Sequence, residues 1–397
     1  MQYRTDKISG NELSALGFGC MRLPKSIGSI DMKKAEEMVL RAIEAGVNYF
    51  DTAHVYPGSE ETLGAIIEKN NLRDKIFIAT KLPLIYTKTK DDFEKYFNLS
   101  LKRLKTDYID YYLLHMITDF DHWTKLKSMG ITNWIAEKKN SKQIGRIGFS
   151  YHGDLPEFLK VIDDYNWEMC LIQYNYSDEN FQAGAAGLKK AAEKMPVMIM
   201  EPLLGGKLAA GLPKEAVEVF KKANPDLSPA AWALNWVWNQ KEVTLLLSGM
   251  SDMQQLEENL KLADSSKIGM LSETELDTFQ KALSVINRTA KINCTGCNYC
   301  IPCPKGINIP GCFTAYNLSY SMGFFEGLKQ FLACTGFFSE RSGSPSLCSK
   351  CGKCEKLCPQ KIPIIKNLVK VRRRLEPFWI KFVGACARAY MGRKRKK

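Results

Sequence analysis

The stretch Val47-Asn48-Tyr49-Phe50-Asp51-Thr52-Ala53-His54-Val55-Tyr56 decides how this chain of 397 residues folds: an apolar run ends in an acid, a turn and, five residues on, a phenol. A second apolar run, Lys75-Ile76-Phe77-Ile78-Ala79-Thr80, ends in Lys81. A third, Tyr108-Ile109-Asp110-Tyr111-Tyr112-Leu113-Leu114, ends in His115. Short apolar runs of this length read as buried strands, and each delivers a titratable group at its C-terminal end. A parallel α/β barrel carries its active site there.

Working outward, the pattern alternates. Helices are expected at 32–45, 60–70 and 91–104, before strands at 47–51, 76–80 and 108–114. Further strands fit at 144–148, 169–173, 197–200 and 244–247, with helices at 122–139, 155–164, 184–194, 228–239 and 252–263. Residues 8–20 read as a hairpin at Gly10-Asn11 that runs into the first barrel strand. Eight strands and eight helices close a barrel, so the expected fold is an α/β (β/α)8 TIM barrel over residues 1–285.

Asp, Tyr, Lys and His make chemical sense together. A phenol has a reference pKa near 10 and is a poor acid at neutral pH unless a cation stabilises its phenolate. Lys81 supplies that charge, Asp51 holds Lys81, and His115 hydrogen-bonds the substrate oxygen or orients the phenol. Any one of the four alone reads as an ordinary polar residue; together at successive strand ends they make a proton donor for a carbonyl oxygen.

The segments Asp51-Thr52-Ala53 to Tyr56, Glu60-Glu61, Leu63-Gly64, Ala79-Thr80-Lys81 and Leu113-Leu114-His115 resemble, in order, the catalytic signature of the aldo-keto reductase family. The resemblance covers roughly residues 5–285. It implies a tetrad of Asp51, Tyr56, Lys81 and His115, with Tyr56 protonating a small-molecule carbonyl substrate while NAD(P)H delivers hydride. It also implies cofactor contacts at Gly19, Cys20 and Met21, at Ser150 and Gln173 for the nicotinamide carboxamide, and at Ser248, Gly249, Met250, Gln255, Glu258 and Asn259 for the adenosine phosphate. Tyr151 and His152 stand where the family often has Asn, and no aromatic follows the seventh strand in Glu201-Pro202-Leu203-Leu204-Gly205-Gly206. Asp252 and Gln255 replace the Lys or Arg expected of an NADPH site, so NADH is as credible as NADPH, with a slight lean towards NADH. His54 and His152 fall in pocket loops.

From residue 286 to 367 the pattern changes. Cys294, Cys297, Cys300 and Cys303 form one run; Cys348, Cys351, Cys354 and Cys358-Pro359 form another with the Cys-x2-Cys-x2-Cys-x3-Cys-Pro spacing of bacterial ferredoxins. In that arrangement three thiolates hold one cubane and the Cys before Pro crosses to the other. The assignment is Cys294, Cys297, Cys300 and Cys358 to one 4Fe-4S cluster, and Cys348, Cys351, Cys354 and Cys303 to a second. Cys303 departs most from the pattern, following Cys300 by two intervening residues rather than three. Zinc, which wants four ligands in two separated pairs, fits poorly. Helix-like stretches at 314–325 and 326–333 make this a mainly α-helical ferredoxin-like domain. Cys20, Cys170, Cys312, Cys334 and Cys386 remain as packing thiols.

Composition bounds the rest. Thirteen cysteines without a secretory leader point to thiolate ligands in a reducing, cytoplasmic setting. No run of 18 uncharged apolar residues is present. Of the net charge of +13, residues 361–397 contribute +12, so partners are sought at a basic amphipathic tail, 368–397. An acidic redox partner (ferredoxin or flavoprotein) and an anionic membrane surface, giving peripheral attachment, both suit it, as does a solvated tail; no nucleic-acid fold accompanies the charge. The expected function is an NAD(P)H-dependent oxidoreductase with iron-sulfur clusters. The rival is an electron-transfer or redox-regulatory module that binds nucleotide and serves a partner. Hydride moves two electrons and a cluster one, and no flavin fingerprint links them.

Overall fold

The computed structural model describes residues 1–26, 29–288, 291–292, 294, 300–335, 343–358 and 362–377. The chain divides into two compact units, Met1–Leu208 with Leu227–Leu276, and Ala209–Asp226 with Asp277–Lys397.

Eight parallel strands close the barrel of the first unit: β1 (Leu16–Gly19), β2 (Tyr49–Asp51), β3 (Phe77–Leu82), β4 (Ile109–Ile117), β5 (Ile144–Tyr151), β6 (Met169–Gln173), β7 (Val197–Met200) and β8 (Leu245–Ser248), with β8 pairing β1. Tyr49, Ala79, Tyr111, Leu113, Met169, Leu171, Met198, Leu245 and Leu247 fill one buried cluster. The antiparallel pair Tyr3–Thr5 and Glu12–Ser14 precedes β1. From its turn, Asp6 accepts a 2.8 Å hydrogen bond from the Tyr111 hydroxyl.

The helices start where side chains satisfy their free N–H groups. Asp31, Asp119, Asp154, Ser228 and Asp252 each accept from a backbone N–H of the first turn. The helix expected over 122–139 is two, Phe120–Ser128 and Ile131–Asn140. Gly130 between them has φ +86°, which ends one helix and leaves the next to begin afresh.

In the second unit the helices Ile309–Ser321 and Phe324–Cys334 begin earlier than the expected 314–325 and 326–333. Asn308 caps the first and Pro310 occupies its opening turn, while Gly323 at φ +98° separates the pair. A further helix, Ile364–Leu375, buries Leu368, Val371 and Leu375 in one core with Ile309, Phe313 and Phe331. Among the described residues no helix is long and apolar enough to cross a membrane.

Candidate active site and cluster ligands

Strand register puts the site together. Asp51 pairs with Ala79, and Lys81 lies two residues beyond on β3; Lys81 pairs with Leu113, and His115 lies two beyond on β4. Leu113 pairs with Gly148, two before Ser150, and Ser150 pairs with Leu171, two before Gln173. A step of two keeps a side chain on the same face of the sheet. Asp51, Lys81, His115, Ser150 and Gln173 therefore share one phase, climbing the barrel towards its C-terminal mouth.

Lys81, 1% exposed, donates to both oxygens of Asp51 at 2.7 Å and to the Thr52 carbonyl at 2.8 Å. Burial works against its charge, but Asp51, and then Tyr56, hold the ammonium above its usual pKa. Burial raises the Asp51 carboxyl, with Lys81 opposing. The Lys81 Nζ lies 5.2 Å from the Tyr56 ring centre, and the Tyr56 and His115 rings meet edge-on at 6.0 Å. Burial raises the Tyr56 phenol above its usual value, outweighing the opposing pull of Lys81. This direction is opposite to the lowering expected from Lys81 alone. His115 is pushed down to about 3, first by burial and then by Lys81 and His152, and so is neutral. The ladder of β4 and β5 is irregular beyond Leu114, where Met116 adopts φ +67° and donates its N–H to Ser150 Oγ at 2.8 Å.

A second polar layer stands behind these groups. Glu60, 1% exposed, accepts from Thr80 Oγ1 at 2.6 Å and from Arg103 at 3.2 Å, and Arg103 also meets His54 Nδ1 at 3.1 Å. His54 stacks edge-on against Tyr96 at 5.0 Å. Glu60, Thr80 and His54 of this network were singled out in the sequence; Arg103, at the far end of a helix, was not.

The remaining cofactor candidates lie at the end of β1, at the end of β8 and in the helix after it, and, with Gln173, at the end of β6. Gly19 faces the Ser248 carbonyl so closely that a Cβ would stand 3.2 Å from it. The Cys20 thiol is buried and donates to the Phe18 carbonyl, while the Cys20 carbonyl accepts from Ser59 and Met21 is exposed. Ser248 accepts from Asn259 at 2.9 Å; Gln255 binds Asp252, its helix cap, at 2.7 Å; Glu258 accepts from Ser228. Met250 is buried. Gln173 donates to Asp178 at 3.1 Å and accepts from Gln182 at 3.3 Å. The sequence reading missed Arg22, the residue after Met21. Its exposed side chain lies where a Cβ on Gly249 would stand 3.0 Å from its Cδ and one on Gly205 3.2 Å from its Nη2. Among the described residues its guanidinium pairs with no carboxylate, a free cation beside the glycine segment proposed for phosphate.

In the second unit Cys294, Cys300, Cys303, Cys348, Cys354 and Cys358 pack against the same apolar core. The loop from Cys348 to Cys354 is turned by Lys350 at φ +57° and Gly352 at φ +74°. That turn directs backbone N–H groups at sulfur: the Lys353 N–H lowers the Cys351 thiol, while burial raises the Cys354 thiol with the N–H groups of Glu355 and Cys354 opposing. N–H donors converging on these sulfurs fit an iron-sulfur ligand loop. Cys297, Cys386 and the tail from 378 lie outside the described residues.

The family profile "Aldo/keto reductase family" matches residues 15–283, and "4Fe-4S dicluster domain" matches residues 293–363. The Bacillus subtilis protein named uncharacterized oxidoreductase YqkF is 28% identical over 70% of this chain and 96% of its own length. The Escherichia coli methylglyoxal reductase YeaE is 28% identical over 71% of this chain and 95% of its own. Several other matched reductases align over 31% to 50% of their length. In fold, the chain is similar to an aldo-keto reductase from Bacillus halodurans solved in its holo form, with a TM-score of 0.59 and 24% identity over 71% of this chain and 96% of that one.

Proposed function

The chain belongs to the aldo/keto reductase family, and from that premise we propose that its barrel reduces a small carbonyl compound with NADH or NADPH, Tyr56 giving the proton. The observation that supports this most directly is the buried Lys81–Asp51 pair beside a protonated Tyr56 and a neutral His115. When bound, the reduced nicotinamide supplies hydride. Tyr56 gives its proton to the carbonyl oxygen, and Lys81, fixed by Asp51 and the Thr52 carbonyl, stabilises the phenolate left behind. His115 hydrogen-bonds the same oxygen without adding charge. Ser150 accepts from Met116 and so keeps its own hydroxyl proton for the carboxamide, beside Gln173. Gly19, Ser248, Gly249, Met250, Gln255, Glu258 and Asn259 line the dinucleotide, with Arg22 offering charge to its phosphates.

The second unit holds two 4Fe-4S clusters on the two cysteine sets read from the sequence and passes single electrons to an acidic partner protein. The name of the methylglyoxal reductase relative makes small reactive aldehydes the first substrates to try. The test is anaerobic: iron-loaded protein, NADH or NADPH, methylglyoxal and simple aldehydes, with rates measured from pH 6 to 11. Because Tyr56 is raised, the acid form persists, so reduction stays level through neutral pH and falls only above about 10. Absence of nucleotide oxidation with every carbonyl, or a rate that is lost through pH 7, overturns the reading.

A further inference from the structure

Among the described residues of the second unit, two cysteines stand outside the ligand sets, and they touch each other. Cys312 lies in the helix Ile309–Ser321 and Cys334 ends the helix Phe324–Cys334, with their thiols in side-chain hydrogen-bonding contact. Neither is in a disulfide. The close approach depends on Gly311: a Cβ there would stand 2.8 Å from the Cys334 Cβ. Asn308 ties the two helix ends together, accepting from the Gly311 N–H at 3.0 Å and donating to the Cys334 carbonyl at 3.4 Å.

The two thiols differ in access. Cys312 is fully buried, whereas Cys334 is partly exposed and donates to the Phe331 carbonyl at 3.4 Å. Close to Cys312 is the Glu376 carboxylate, 7% exposed, whose Oε1 accepts from Ser344 at 2.7 Å and Ser346 at 3.1 Å. Its Oε2 is buried and has no hydrogen-bond partner among the described residues. A buried acceptor without a donor is costly, and the Glu376 charge acts on the inner thiol.

We propose that Cys312 and Cys334 form a reversible dithiol–disulfide pair, a two-electron redox site separate from the cluster thiolates and oxidised by low-molecular-weight disulfides. Cys334, the accessible sulfur, attacks one sulfur of the small disulfide; that S–S bond breaks, and the first small thiol leaves with the Cys334 proton. Cys312 passes its proton through Glu376 and attacks the Cys334 sulfur, releasing the second small thiol with that proton. Two protein S–H bonds are replaced by one S–S bond, and the small disulfide gains the two electrons as two thiols. The site stands on the helix pair alone and holds whether or not the barrel reduces carbonyls.

The experiment equilibrates the iron-loaded full chain, without oxygen, with set ratios of oxidised to reduced glutathione. It then quenches in acid, alkylates the denatured protein and maps peptides by mass. Two alkylation adducts are lost as the ratio rises, a cross-linked Cys312–Cys334 peptide pair appears, dithiothreitol reverses both, and iron content is unchanged. Cys334→Ser abolishes the two-adduct loss, and Glu376→Gln slows resolution of the mixed disulfide. Full alkylation of both cysteines at every ratio with iron retained overturns the proposal. So does a cross-link that joins either residue to a ligand cysteine instead.

Discussion

The barrel mouth and the iron-sulfur unit hold their reactive groups in opposite ways. At the mouth, Lys81 is 1% exposed and tied by two 2.7 Å bonds to Asp51, each side chain set by the phase of a strand in a closed sheet. In the second unit, Cys351 is exposed on a loop turned by Lys350 and Gly352, and the thiols flank a small apolar core. One site is assembled by hydrogen bonds of the protein to itself. The other gathers side chains whose mutual attraction is weak until a cofactor joins them.

Removing iron is the sharpest way to break that contrast, because metal binding and folding are linked where a site lacks its own scaffold. Chelation under reducing conditions is expected to abolish hydrogen-exchange protection in the helices 309–321 and 364–375 while the barrel strands keep theirs. Equal loss in both would erase the distinction. Next in size is Lys81→Met, which leaves Asp51 buried without its partner and is expected to lower stability by about 3–5 kcal/mol. Denaturant unfolding measures it, and Asp51→Asn added to Lys81→Met is expected to restore part of the loss.

A smaller effect comes from protons. His115 is held at about 3 in the fold against about 6.5 when unfolded. Between those values the unfolded chain binds a proton that the folded chain refuses, so stability falls as pH falls, by up to about 1.4 kcal/mol per pH unit for this group. His152, pushed down to about 4 by burial, acts in the same direction. The urea midpoint followed from pH 7 to 4 tests this, and His115→Gln is expected to flatten the slope. The smallest effect is at the rim: Asp252→Ala removes a helix cap at a cost of about 1 kcal/mol.

The same contrast explains what could be read from the amino-acid order. Strand ends are legible because a period of two and a titratable residue after an apolar run coincide, as at Asp51, Lys81 and His115. The break at Gly130 was missed, and the one at Gly323 was placed a little too late in the chain, because helical periodicity continues across both while the backbone φ does not. The depth of burial at Tyr56, which acts on the phenol against Lys81, is not written in the sequence, which names only the neighbouring cation. The contact of Arg22 with Gly249 and Gly205 joins residues far apart in the chain, and nothing local announces it. Cysteine spacing marked the ligand loops, yet the pairing of Cys312 with Cys334 needs two helices to fold back on each other.

The most direct measurement is a single-turnover reduction of an aldehyde by iron-loaded wild-type and Tyr56→Phe protein, following nicotinamide and cluster absorbance together. The account predicts that the variant binds nucleotide and keeps its cluster spectrum but oxidises nicotinamide about 10²–10⁴-fold more slowly. Equal rates in the two proteins would contradict it.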